Sequence, residues 1–368
     1  MTPRERITAA LRREPVDRLP WTVDLAYYNT ALRAQGRFPT EYEGVEGFLR
    51  QHEELGADPY LCYDAFWPWE TSFDGIEQDS RQEGNDHIVT WALGGRTLVK
   101  VQRYLPESYC SAPVKWPVET AKEMEILLEI LRRGRLTPRI ERHRTLQESW
   151  GERGLLAIGV PRTPVPALLT EWCGITAATF LCVDEPELFK EVLRVIDGLH
   201  DAAYEALAEY APVVVHFPDN LSGENVAYFW DAHMAPVYRR RIGQLHSAGT
   251  VCVIHNDGAV RPVLRRIAEA GFDGAEALTT APVGDAEPGE LRALAGREDF
   301  ILWGMVPGAL FTRTWSESKF RKYVQRVIES VEGPMILGTA DQVPPDGVVE
   351  RVRTAADVLA KLTRPSSG

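Results

Sequence analysis

The chain has 368 residues, 44% hydrophobic and 26% charged, which excludes a disordered, collagen-like or disulfide-stapled miniature fold and allows a large buried core. Its 41 Lys and Arg against 53 Asp and Glu leave a net charge of -12, so a nucleic-acid backbone or an anionic membrane surface would be repelled. Five scattered cysteines without a Cys-x-x-Cys pair suit reduced thiols.

At the N-terminus, Thr2, Pro3 and Glu5 form a helix start: a hydroxyl cap, a proline at the first helical position and a carboxylate that can reach back to the cap. Charges stand there where a secretion signal needs its apolar core, and nowhere is there a run of about 18–20 apolar residues for a bilayer span. The expected location is the cytoplasm. Further along, short apolar or β-branched runs alternate with stretches of helical spacing. The runs cover residues 19–24, 59–64, 155–161, 213–217, 251–255, 274–277, 300–304 and 335–339. Helical periodicity spans 185–209, 225–247, 259–270 and 316–331, and Gly249, Gly271 and Gly333 stand where a helix hands over to a strand. Eight such βα units close a parallel barrel, so the expected fold is α/β, a (β/α)8 TIM barrel. Residues 82–104 alternate instead like antiparallel strands around Leu93-Gly94-Gly95-Arg96, an inserted β-hairpin in the first half. Nothing resembling a linker or a repeat divides the chain, which predicts a single domain over 1–363 and a frayed tail over 364–368.

Barrel chemistry gathers at the C-terminal ends of the strands. In chain order those ends carry Asp24, Asp64, Arg162, His216 with Asp219 and Asn220, His255 with Asn256 and Asp257, Glu276 and Met305, while Asp341 follows the eighth run. Carboxylates and imidazoles crowded together are costly unless a cation, a substrate proton or hydrogen-bond donors compensate them, which marks these ends as a candidate site. Each aspartate has a plainer role open to it, capping a helix as Asp184 does. Tyr27, Tyr28, Phe66, Trp67, Trp69 and Trp91 could line an aromatic pocket or equally pack a core. Arg162, in Pro161-Arg162-Thr163-Pro164, offers a cation to a substrate carboxylate or to a neighbouring aspartate.

Three stretches together carry a family likeness: Arg4-Glu5-Arg6 with Ala9-Ala10-Leu11 and Pro15-Val16-Asp17-Arg18-Leu19-Pro20; the His255 segment with Ala270-Gly271-Phe272-Asp273-Gly274; and Leu337-Gly338-Thr339 with Pro344-Pro345-Asp346. In these the chain resembles the uroporphyrinogen decarboxylase superfamily, which includes the decarboxylase itself and zinc-dependent methylcobalamin:coenzyme M and related corrinoid methyltransferases. The resemblance implies a (β/α)8 barrel. In the methyltransferase branch zinc is held by His-x-Cys after the fifth strand and a further Cys after the eighth, and it lowers a substrate thiol's pKa. His255 matches that histidine, while Asp257 and Asp341 stand in place of the two cysteines, so hard carboxylates replace soft sulfur. The decarboxylase branch uses an aspartate after the second strand, matched by Asp64, and arginines near the first, where this chain has Thr22-Val23-Asp24-Leu25.

The resulting expectation is an enzyme in which His255, Asp257 and Asp341 bind a divalent metal, zinc foremost, for methyl or other alkyl transfer on a small substrate. Asp219 and Glu276 are candidate proton acceptors or outer ligands, and Asp24, Asn220, Arg162 and Trp67 candidate substrate contacts. The resemblance also allows a corrinoid protein as partner and a homodimer. Two alternatives stand beside it: metal-free decarboxylation of a small or porphyrinogen-type acid, with Asp64 stabilising a cationic intermediate and Arg162 gripping a carboxylate, and a non-catalytic ligand-binding protein on the same fold.

Overall fold

A computed structural model describes residues 1–61 and 67–362. Nine short strands lie parallel: β1 (Trp21–Thr22), β2 (Tyr60–Leu61), β3 (Leu155–Leu156), β4 (Ile158–Gly159), β5 (Val214–Leu221), β6 (Val251–Asn256), β7 (Gly274–Leu278), β8 (Ile301–Pro307) and β9 (Met335–Ala340). Seven of them form one curled sheet in the order β1-β9-β8-β7-β6-β5-β4, and β2 pairs with β3 beside it. Ala157 separates β3 from β4, so one extended segment passes from the ladder of β2 to the ladder of β5. Each run predicted from the sequence contains a strand. Strands β6, β8 and β9 are buried almost throughout, the near-continuous apolar pattern of a parallel sheet covered on both faces.

The two-residue period of a strand sorts the side chains. Val214, Val253, Ile301, Trp303 and Ile336 form an inner cluster with Tyr60, Leu155 and Ala157. Helix α1 (Pro3–Leu11) closes this cluster with Ile7, Ala10 and Leu11, and its start is fixed by the Thr2–Glu5 capping box. Residues of the other parity, such as Val215, Phe217, Cys252, Ile254, Leu302 and Leu337, join a second cluster under the surrounding helices. Gly338 has inner parity, and a Cβ there would stand 2.7 Å from Thr22 Oγ1, so β1 and β9 can approach only around a glycine.

On the other side of β1 the wall is looser. β1 and β2 share no ladder among the described residues; Asp58 N donates to Trp21 O at 2.7 Å and ties them at their N-terminal ends. Helices α2 (Ala26–Ala34) and α3 (Gly44–Glu54) pack outside this seam. Between β2 and β3 the chain adds an antiparallel four-stranded sheet, Glu77–Glu83, Asp86–Leu93, Arg96–Leu105 and Cys110–Lys115. The alternation at 82–104 is thus part of a wider meander, whose central turn uses Gly94 and Gly95 at φ 56° and 78°, the left-handed pair that a two-residue hairpin turn requires. The predicted helix over 225–247 is interrupted by a π-turn at Trp230–Met234 just before Pro236, which has no N–H for a regular helical bond. Among the described residues no helix is long and apolar enough to cross a membrane.

Candidate active site

Carrying the inner parity of Val214, Val253 and Gly274 two residues onward reaches His216, His255 and Glu276. The register sets His255 beside Glu276 on neighbouring strands. Glu276 Oε2 accepts from His255 Nδ1 at 2.8 Å and from His216 Nε2 at 3.1 Å, and the two imidazoles meet edge to face. The three ligand atoms lie within 4.8 Å of one another. Beneath them is the apolar inner cluster, and His255 and Glu276 are reached from the cavity that they line.

Burial penalises charge on all three groups, and their neighbours decide which one holds it. At His255 the burial penalty is outweighed by Glu276, through its charge and its hydrogen bond, and then by Asp257 and Asp341; the ring titrates at about 9. At Glu276 burial is outweighed by His255 and His216, and the carboxyl sits at about 2. Burial prevails at His216, which stays below the usual imidazole range. Without a metal, the floor of the site is a Glu276 carboxylate paired with a protonated His255 and a neutral His216.

A ring of acids stands above this floor. Asp341 Oδ1 is 3.8 Å from His255 Nε2, on a side chain that is half exposed. Burial raises the Asp341 carboxyl; His255 opposes the rise, while Asp257 and Glu276 add to it. Asp257 is half-buried in the loop two residues past His255. Asp24 accepts from Ala26 N at 2.7 Å and Gln342 Nε2 at 3.3 Å, and its own N–H donates to Thr339 Oγ1. Four non-glycine residues at this end of the sheet have left-handed backbone: Asn220, Ala277, Met305 and Asp341, at φ 49°, 60°, 74° and 65°. Such conformations cost about 1–3 kcal/mol each, and their clustering at the mouth is typical of a functional site.

Asp24, His255, Glu276 and Asp341 line one cavity of about 410 Å³. Asp219, Arg162, Asn220 and Trp67 do not line it. Asp219 has the outer parity of Phe217; it accepts from Thr163 N (3.0 Å), Thr163 Oγ1 (2.7 Å) and the Tyr238 hydroxyl (2.7 Å) on the helix side of the sheet. Burial raises its carboxyl, against the pull of those donors and of Arg162. Arg162 donates to the Pro218 carbonyl and lies 3.8 Å from Glu171. Asn220 is exposed, and its carbonyl accepts from Asn225. Trp67 is exposed on the surface, where its carbonyl accepts from Arg142. Asp64 and Phe66 lie outside the described residues. The sequence marks His216 only as a strand end; the period-two signal that separates it from Asp219 was available in Val214-Val215-His216-Phe217.

The chemistry of the donors suits a divalent ion. Donors held about 2.1 Å from a tetrahedral ion stand on the order of 3.4 Å apart. The observed 2.8 and 3.1 Å contacts need only a few tenths of an ångström of opening. Two imidazole nitrogens and a carboxylate suit zinc and similar borderline ions.

No family profile and no curated protein matches the chain. Among solved structures it is similar to a methyltransferase from Methanosarcina mazei, with a TM-score of 0.63 and 15% identity over 99% of this chain and 100% of that one. It overlaps more loosely with a xylose isomerase-like TIM barrel protein from Mycobacterium smegmatis in complex with magnesium, with a TM-score of 0.37 and 12% identity over 94% of this chain and 98% of that one. A third structure, SacUVDE, has a TM-score of 0.33 and 14% identity over 67% of this chain and 75% of that one. At these identities the first likeness shows a shared fold along the whole chain, and the other two carry no argument.

Proposed function

We propose that the chain is a single-domain barrel enzyme, β2 completing the wall begun by the seven-stranded sheet, that carries out metal-assisted methyl or other alkyl transfer on a small substrate. The observation that carries this reading is the His216–Glu276–His255 group, of which His255 and Glu276 line an open cavity and His216 stands buried behind them, in a fold shared end to end with a methyltransferase. His216 Nε2, His255 Nδ1 and Glu276 Oε2 would hold the ion. The set predicted from the sequence, His255, Asp257 and Asp341, would use the other nitrogen of the same ring, Nε2. We favour the inner set because its three ligand atoms already converge, with Asp257 and Asp341 acting from the rim.

A divalent ion there, zinc foremost, would supply Lewis-acid polarisation of a substrate heteroatom. The protein's own groups do the rest. Before an ion binds, His216 and His255 hold the Glu276 carboxylate from two sides, which gathers the three donors at one point; an ion there would take the place of the two ring protons they share with it. The half-exposed Asp341, with its raised pKa, is placed to hold or pass a proton at its carboxylate facing the cavity. The rim acids make the mouth attractive to cations. A corrinoid protein as methyl carrier rests on the family resemblance.

Elemental analysis of protein purified without chelator tests the reading. Bound zinc or another divalent ion is expected in the wild type and in Asp257→Ala, and is expected to be lost in His216→Ala, His255→Ala and Glu276→Gln. A wild type that holds no metal and takes up none on titration with zinc sinks it, and chelator-insensitive release of carbon dioxide from an acid would replace it with the decarboxylase chemistry.

A further inference from the structure

The cavity extends beyond the mouth. Its lining includes Thr22 of β1 and Tyr60 of β2, two strands that share no ladder among the described residues, and it continues outside them to Phe48, Leu146 and Trp150. It therefore passes through the wall at the β1–β2 seam and becomes an arm between the strands and helices α2 and α3. The outer end is flanked by Phe38, over which the Arg33 guanidinium stacks at 3.8 Å while it also pairs with Glu43.

We propose that this arm is the subsite for the non-reacting body of the substrate, and that the body is a neutral aryl group. The arm's buried amides already satisfy each other: Asn29 Nδ2 donates to Gln51 Oε1 at 2.8 Å and Gln51 Nε2 to Asn29 Oδ1 at 3.0 Å. A ligand that displaced this pair would have to replace both bonds, whereas an apolar one leaves them intact. Arg33, the cation at the outer end, has Glu43 as partner, so the arm carries no uncompensated positive charge to select an anion. The walls are rich in rings. Phe48 and Trp150 meet at 5.1 Å between centroids with a 31° tilt, and Phe38, Tyr42 and Tyr60 line the same space, surfaces suited to stacking and edge contacts with a flat guest. With its body in the arm, a substrate would present a heteroatom substituent through the seam toward His255 and Glu276. Only this last step rests on the proposed function; the arm's affinity for a ring does not depend on a metal.

The test is a ligand-observed NMR titration of the full chain, treated with chelator, using benzyl alcohol, cyclohexylmethanol and methanol as probes. Benzyl alcohol is expected to bind about tenfold more tightly than methanol and a few-fold more tightly than its saturated counterpart. Val45→Trp, at an exposed position on the cavity wall, should plug the arm and weaken benzyl alcohol about tenfold while zinc uptake stays as in the wild type. Phe48→Leu should remove the preference for the aromatic over the saturated ring. The proposal is overturned if benzyl alcohol binds no better than methanol, or if Val45→Trp binds it as the wild type does. Should zinc uptake fail while Val45→Trp still blocks the aryl probe, the arm stands and the metal reading falls.

Discussion

The two ends of the sheet treat charge in opposite ways. At the N-terminal end Asp58, 1% exposed, accepts from Arg6 Nη1 (2.6 Å), Arg18 Nη1 (2.8 Å) and Trp21 N (2.9 Å), while Asp17 takes the rest of the Arg6 fork. Asp273, just ahead of β7, is likewise met by Arg13. Acids there are matched by cations. At the mouth, among the described residues, Asp257, Glu276 and Asp341 surround the protonated ring of His255, beside a His216 that burial keeps neutral. A folded chain gains nothing from such an excess of one sign. On the proposed function, the balanced end serves stability and the unbalanced end is kept for a cation or a substrate.

Substitutions at the two ends should therefore fail in different ways, and the largest effect belongs to the base. Asp58→Ala leaves the buried Arg6 guanidinium short of a partner and should cost about 3–5 kcal/mol, read as a lower urea midpoint. That is a large share of the total stability of an ordinary domain. Glu276→Gln, which keeps the side chain's shape and leaves Asp257 and Asp341 facing His255, should lower the urea midpoint of the chelated protein by less than Asp58→Ala does, yet weaken zinc binding by more than about 100-fold. If Asp58→Ala unfolds no more readily than Glu276→Gln, the division between the ends is broken.

The legible parts of the molecule were those written in local pattern. Strand runs at 251–255 and 335–339 announce themselves through β-branched and apolar content, and Thr2-Pro3-Glu5 announces a cap; all fall within elements of the fold. His255 and Glu276 are visible as polar ends of such runs. The pairing of Glu276 with His216 is not, because they come from strands separated by β6 and meet only through the parallel register. Asp219 misleads because a buried carboxylate at a strand end can serve either face, and only the inward–outward count assigns it to Thr163 and Tyr238. The cavity arm could not be read at all: it lies at a seam where the described residues of β1 and β2 form no ladder, and a pairing not made leaves no mark in a sequence.

Acid should expose a third class of buried group, neutral and belonging to neither end. His143 lies in the wall, 3% exposed, with Nε2 bonded to the Leu156 carbonyl and Nδ1 to the Tyr210 hydroxyl. Burial lowers its pKa from 6.5 to about 4, although the Leu156 carbonyl opposes the fall. Below about pH 6.5 the unfolded chain takes up a proton that the folded one refuses, so stability is full above that pH and declines as pH falls toward 4. The slope from this residue approaches about 1.4 kcal/mol per pH unit, and His200, also held at about 4 by burial, adds the same sign. His143→Gln, which can keep a hydrogen bond to Leu156, should flatten the urea midpoint against pH by that residue's share. An unchanged slope would place the acid sensitivity elsewhere.

The smallest effect is the most pointed. Asp341→Asn removes one negative charge from the unbalanced rim and places asparagine at φ 65°, a left-handed position that it tolerates better than most residues. Because the side chain is half exposed, solvent screens much of the repulsion, and the chelated variant should melt only about 1 °C above wild type. The sign should change when zinc is added. The wild-type rim attracts the cation more strongly, so zinc should raise the wild-type melting temperature by more than it raises that of Asp341→Asn, and the two curves should cross as zinc is titrated. Parallel curves with no crossing would mean that the acid excess at the mouth does not serve a metal, and that its purpose must be sought in the charge of the substrate itself.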